Sequence, residues 1–388
     1  MRWRSALTFM LPVALLAAGG CVAETKSAGG SGDEVVVGVS LELSGPTASI
    51  GTTYRQALEL KAAQINSSGM LGGRMLRLVV EDNRTDTNTS VANVNDFVKN
   101  QRASAIILGG CSQCAMAAVP TITESRIPTV SLASASTLTS PVADRRYMFK
   151  VSPDPAQDAQ VIVGELRRKN ITGVGLIAVD NLYGQDGQRQ FTSRAQQAGI
   201  RIGATEQFGQ SDTSIAVQVS KIVAARPQAV VVWAVSPAAS ILVKELNDAH
   251  YQGAIYLDAG AGAESFLRGA GACAEGVHMV FPRVQAIEDI DTGTPAGSVQ
   301  KAWVDAYRAA NGEYPGFASF AADALQTIAD AVVAGGGTDP ESLRNAIETT
   351  AFDGVSGPLR FSPADHSGLR PEALGILTVR QGRWRLAG

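Results

Sequence analysis

The sequence predicts an α/β protein of two mostly parallel sheets with helices on both faces. Short apolar, β-branched runs alternate with stretches of helical spacing, the signature of such layers. Ser152-Pro153-Asp154-Pro155 breaks the alternation, which then restarts. A length of 388 residues also exceeds one typical domain. Forty glycines and only 6% aromatics suit layers packed closely through small residues. The formal charge of −3 gives no basic footprint for nucleic acid.

The first run opens with a strand over 34–41 (EVVVGVSL), ending in Ser44-Gly45-Pro46 and a loop to Gly51. Helix 53–65, strand 76–81 and helix 91–100 follow. Next comes 103–130, ASAIILGGCSQCAMAAVPTITESRIPTV, around which the site is organised. The run 105–108 has the length and β-branching of a strand buried on both faces. Gly109 and Gly110 break it, and Ser112 stands at a good N-cap position. Ala115, Ala118, Val119 and Ile122 then recur at helical spacing, and 128–132 is the next strand. A glycine turn between strand and helix aims backbone N–H groups at whatever lies beyond the strand, a place that favours an anion. Strand 146–151 closes the run.

In the second run the pattern predicts helices at 159–169, 184–198, 215–225 and 238–249, and strands at 174–179, 200–206, 229–234 and 254–257. A short helix near 265–267 and a strand at 276–280 come next, then a second crossing candidate at Phe281-Pro282-Arg283. Helices 299–310, 317–334 and 340–349 need a partner sheet, and strands 354–360 and 374–379 come late. In open α/β sheets ligands bind beyond the carboxyl ends of the strands. The loops 44–51, 110–114, 131–139, 180–184, 233–237 and 258–262 all lie at such ends, so the sequence places the site in a cleft between domains.

The amino terminus reads as a leader. Arg2 and Arg4 form a positive region, and 6–18 is apolar but too short and Ala-rich for a membrane span. Ala18-Gly19-Gly20-Cys21 resembles a bacterial lipobox with Cys21 as the lipidation site, although Ala18 replaces the usual leucine. An ordinary secretory signal cut nearby is the alternative. Residues 22–33 (VAETKSAGGSGD) then read as a flexible tether, spanning roughly 20 Å.

From about Val35 to the carboxyl terminus the chain resembles type I periplasmic binding proteins of ABC importers, the leucine/isoleucine/valine-binding protein family. The motifs are VGVSLELSGPTASIG, EDNRTDTNTSVANVNDFV, GGCSQCAMAAVP with RIPTVSLASAS, VDNLYGQDG and GVSGPLRFSPADHSG, in that order. The resemblance implies two Rossmann-like lobes joined by three crossings, with a small ligand captured in the interdomain cleft by hinge closure. It divides the chain into a leader (1–20), a tether (21–33), a first lobe (34–151 and 284–357) and a second (152–283 and 358–388). It implies an extracytoplasmic lipoprotein on the bacterial cell membrane, a monomer partnered by permease and ATPase subunits, with no cofactor and no catalysis. The ligand class is a small carboxylate: a branched-chain or other amino acid, an amide or an aromatic acid.

The resemblance also assigns residues. Ser112, with the neighbouring Gln113, matches the hydroxyl position that takes the ligand carboxylate; a plain helix cap is the alternative. Ser134 and Ser136 are both candidates for a second hydroxyl, and Ala135 is the third possibility for that position. Tyr183 matches an aromatic that closes over the ligand, or else caps its own loop. The acid expected to meet a ligand ammonium aligns with Ala259, with Asp258 adjacent. Neighbouring residues at a strand end point opposite ways, so the amino-acid specificity is in question. Ile50 replaces the first-lobe aromatic of leucine binders. Trp233 reads equally as a stacking surface at the cleft mouth and as core.

Competing chemistry is thin. Cys111-Ser112-Gln113-Cys114 is a CxxC, which admits a thiol–disulfide oxidoreductase. In the family Cys111 pairs with a cysteine that is absent here from 82–86, so either Cys114 substitutes in a possible Cys111–Cys114 disulfide or the thiols stay free. Cys273 is left over. His250, His278 and His366 are isolated, so no metal site is argued. A lipoprotein sensor feeding a signalling partner would use the same fold and cleft.

Overall fold

A computed structural model describes residues 34–387. The leader, Cys21 and the tether lie outside the described residues. The first sheet collects β1 (Glu34–Leu41), β2 (Met75–Asp82), β3 (Ala105–Leu108), β4 (Thr129–Ser131) and β5 (Met148–Lys150). Between them run α1 (Ala48–Ser68), α2 (Thr87–Lys99) and α3 (Ser112–Ser125). The second sheet begins after α4 (Pro155–Arg168) with β6 (Gly173–Val179), α5 (Leu182–Gln197), β7 (Arg201–Phe208), α6 (Ala216–Ala224) and β8 (Ala229–Trp233). It continues through α7 (Ala238–Asp248), β9 (Ala254–Leu257), α8 (Glu264–Ala270) and β10 (His278–Pro282). Then come α9 (Pro295–Asn311), α10 (Phe317–Ala334), α11 (Pro340–Glu348), the hairpin β11 (Ala351–Asp353) with β12 (Pro358–Arg360), and β13 (Leu374–Arg380) with β14 (Arg383–Leu386).

Both sheets follow one plan. The first is ordered β2-β1-β3-β4-β5 and is parallel throughout. The second is ordered β14-β13-β10-β9-β8-β6-β7; its five strands from β6 to β10 are parallel and repeat the order of the first. Only β13 and β14 add antiparallel strands. β3, β6 and β8 are buried along their whole length, as the β-branched runs predict for strands covered on both faces. Each sheet reverses its strand order next to its first strand, between β1 and β3 and between β6 and β8. Those reversals open the crevices in which such folds bind ligands.

The carboxyl-terminal helices return to the first sheet. α10 packs on α1, β3 and β4, and α11 packs on α10. The chain joins the second sheet only at β13; before that, Ser367 bridges to Lys150 of β5. Where the structure departs from the pattern-based reading, polar contacts explain it. The late strand predicted at 354–360 is confined to β12, because the backbone of Val355 and Ser356 donates to the Asp323 carboxylate instead of to a neighbouring strand (2.7 and 2.8 Å). α2 begins before its apolar stripe because Asp86 caps it, accepting from Thr89 N–H at 2.7 Å. β14 escaped prediction because arginines occupy two of its four positions.

Candidate functional site

The first half of the site is built where β1 and β3 part. Glu42 follows β1 directly and is fully buried. Its carboxylate accepts from Gly110 N–H and Cys111 N–H at 3.0 Å each and from Asn83 Nδ2 at 3.1 Å. The glycine turn therefore does hold an anion, but it is the chain's own. The close approach requires Gly109: a Cβ there would lie 2.4 Å from the Glu42 carboxylate. Burial raises the Glu42 pKa, and the three donors oppose that rise. Burial, reinforced by the Glu42 charge, also pushes the nearby Tyr54 hydroxyl well up.

Cys111, not Ser112, caps α3; its sulfur accepts from Cys114 N–H at 3.2 Å. The expected serine cap is corrected accordingly. Ser112 is the first residue of the helix, and its Oγ accepts from Ala135 N–H at 3.4 Å, which ties the turn to the loop after β4. The first backbone bond of the helix runs from Ala115 N–H to the Cys111 carbonyl. Helix geometry leaves the Ser112 and Gln113 N–H groups ahead of it, without intrahelical partners. Cys111 and Cys114 are joined in a disulfide across this turn, and both are buried.

The second half lies where β6 and β8 part. Asn181 caps α5, accepting from Gly184 N–H at 3.0 Å, and its amide donates to Gln210 Oε1 at 3.0 Å. The cap leads straight into Tyr183, whose hydroxyl is buried without a hydrogen-bond partner. That hydroxyl sits so close to Gly260 that a Cβ there would be 2.4 Å away. Between the halves lies a cleft lined from both strand reversals. Ile50, Tyr54, Phe317 and Phe320 form its apolar first-lobe side, with Phe317 edge-on to Tyr54 at 5.9 Å between centroids. This lining, mostly apolar with a few polar groups, suits a small ligand.

Residues 34–382 match the family described as periplasmic binding protein. The chain belongs to the periplasmic binding protein family. Its fold is that of the type I periplasmic binding proteins. A Pseudomonas aeruginosa "amino acid binding protein" is 25% identical over 84% of this chain and 85% of its own length. A second protein of that organism, the "leucine-, isoleucine-, valine-, threonine-, and alanine-binding protein", is 24% identical over 85% of this chain and 86% of its own. Among solved structures, an extracellular ligand-binding receptor from Rhodopseudomonas palustris superimposes with a TM-score of 0.84 at 27% identity. That match covers 92% of this chain and all of the other.

Within this periplasmic binding protein, Ile50, Ser112, Gln113, Ser134, Tyr183 and Ala259 line the cleft. Three other expected residues do not. Ser136 instead joins the lobes: its N–H and hydroxyl both donate to Asp186 Oδ2 on α5 at 2.7 Å. Trp233 is core, fully buried and pressed so tightly on α5 that a Cβ at Gly187 would lie 2.1 Å from its indole nitrogen. Asp258 turns away from the cleft and caps its own loop, accepting from Ala234 and Gly260 N–H at 3.0 Å each. Burial pushes its carboxyl up to about 8, against those two donors. Sequence reasoning missed Glu42, Tyr54, Thr85 and the pair Phe317 and Phe320. Glu42 had a readable signal, an acid placed inside the apolar run VSLELSGP. The two phenylalanines reach the cleft from α10, far along the chain, and their own spacing marks them only as core.

Proposed function

We propose that this protein is the lipid-anchored, extracytoplasmic substrate-binding component of an ABC importer, capturing a small carboxylate-bearing ligand by hinge closure without catalysis. The observation that supports this best is the cleft, lined from both lobes at the two strand reversals. The ligand carboxylate is assigned to the first turn of α3. There the Ser112 and Gln113 N–H groups and the positive end of the helix favour an anion. Ser112 Oγ already accepts from Ala135 N–H, so its proton remains available to donate. Ser134 is the second hydroxyl, Tyr183 the closing aromatic, and Ile50, Phe317 and Phe320 the apolar wall.

The hinge is assigned to 151/152, 283/284 and, in place of the expected 357/358, the passage from Ser367 to Leu374, since Ser367 still bridges to Lys150 of β5. The Ser136–Asp186 bonds are read as a latch between the lobes. Cys21 is the lipid attachment site in this reading, and permease and ATPase subunits are the partners. The Cys111–Cys114 disulfide staples the carboxylate turn; its burial argues against a redox role. The names of the two Pseudomonas relatives favour an amino acid over the other small acids.

Calorimetry with L-leucine, L-phenylalanine, benzoate and leucinamide tests the reading. At least one acid is expected to bind, and Ser112→Ala to weaken it about tenfold to a hundredfold, the loss of one donor to an ionised group. Tyr183→Ala is expected to weaken the same ligand. Binding of the amide with no binding of any acid would remove the carboxylate from the account.

A further inference from the structure

We propose that Glu42 is the ammonium site of the cleft, so that the ligand is an amine-bearing small acid, an α-amino acid foremost, and not an amine-free carboxylate. This rests on the cleft being the capture site for a small acid, as proposed above. Glu42 is the one charged side chain among the described residues that line the cleft, which include no lysine, arginine or histidine. An amine-free acid would bring a second negative charge beside it with no cation to balance either. Buried like charges are costly. A zwitterion meets both ends: its carboxylate takes the first turn of α3 and its ammonium takes Glu42.

The geometry leaves room for that contact. A carboxylate offers about four acceptor positions. Oε1 uses two, for Asn83 and Cys111, whereas Oε2 uses one, for Gly110. Oε2 thus keeps a vacant position on a carboxylate whose orientation three donors fix. The hydroxyls of Tyr54 and Tyr183 are buried, without partners, and on the cleft wall. Each can complete the hydrogen bonding of a ligand amine. The second lobe supplies no rival, because Asp258 turns to its own loop and does not line the cleft, and Ala259 carries no charge. The ammonium partner expected in the second lobe is thereby transferred to the first.

Two probe triads test the assignment on the intact protein by calorimetry. One is L-leucine, 4-methylpentanoate and 3-methylbutylamine; the other is L-phenylalanine, 3-phenylpropanoate and 2-phenylethylamine. In at least one triad the amino acid is expected to bind, and its amine-free analogue to bind at least about tenfold more weakly. An amine-free acid that binds as tightly as its amino acid overturns the Glu42 assignment and leaves the carboxylate reading intact. Amines that bind where neither acid does overturn the carboxylate reading and support Glu42. No binding by any of the six overturns both. Glu42→Gln should remove most of the amino acid's advantage over its amine-free analogue. If that variant does not fold, the triads on the parent protein decide alone.

Discussion

Asp323→Ala is expected to destabilise the protein by about 3–5 kcal/mol. Its carboxylate sits in the middle of α10, fully buried, and accepts from Val355 N–H, Ser356 N–H and the Ser356 hydroxyl. Alanine would orphan all three donors, which are packed closely around the carboxylate: a Cβ on Gly354 would lie 2.6 Å from it. Each orphaned buried donor costs about 1–3 kcal/mol. The net loss is smaller than the sum, because burial already strains this carboxyl, raising its pKa to about 6. Asp323→Asn keeps one acceptor oxygen and sheds the buried charge, so it should lose less. Glu59→Ala, which removes an exposed ion pair with Arg55, should change stability by less than about 1 kcal/mol. Urea unfolding of the three variants checks the order; equal stability of Asp323→Ala and the parent would refute the anchoring role.

The second large effect is a fall in stability as pH rises from 6 to 8. Asp258 is raised by burial to about 8, and Asp158 well above its ordinary value by burial and then by the Asp258 charge. Both groups are fully buried, and Asp158 Oδ1 has no hydrogen-bond partner. In the unfolded chain both titrate near 3.8. Across this window the native state therefore holds protons that the unfolded state has lost, and stability declines with each pH unit. One group so placed contributes about 1.4 kcal/mol per unit, or about 2–3 kcal/mol over the window. His278, whose pKa burial lowers, acts in the opposite sense up to its ordinary value of 6.5, and so opposes the fall only at the lower end of this window. Melting temperatures at pH 6, 7 and 8 should fall in that order. Asp258→Asn should flatten the profile, and a parent profile that rises toward pH 8 would contradict the burial of these acids.

These two anchors show what was legible in the sequence. Buried parallel strands announce themselves, because a strand covered on both faces must be apolar along its whole length. The runs 105–108, 174–179 and 229–233 show it. The edge of the site was less legible. Which neighbour of a strand end faces the cleft depends on which backbone N–H groups need an acceptor. Asp258 and Glu42 were both drawn to such groups, one away from the ligand space and one into it. Ser112 reached the cleft as the residue after the cap and not as the cap itself. Ser136 lay one turn beyond it, where it meets Asp186 across the lobes. No local pattern encodes a partner fifty residues away.

Capture by closure of the two lobes is tested most directly by small-angle X-ray scattering with and without the tightest ligand from the calorimetric panel. Ligand contacts drawn from both lobes favour the closed arrangement in proportion to their difference in affinity for the two states. The account predicts a smaller radius of gyration at saturation than in the free protein. It also predicts that Asp186→Ala, which removes the acceptor of the Ser136 bonds, requires more ligand to reach it. A radius unchanged at full saturation, with binding confirmed in the same sample, would contradict it.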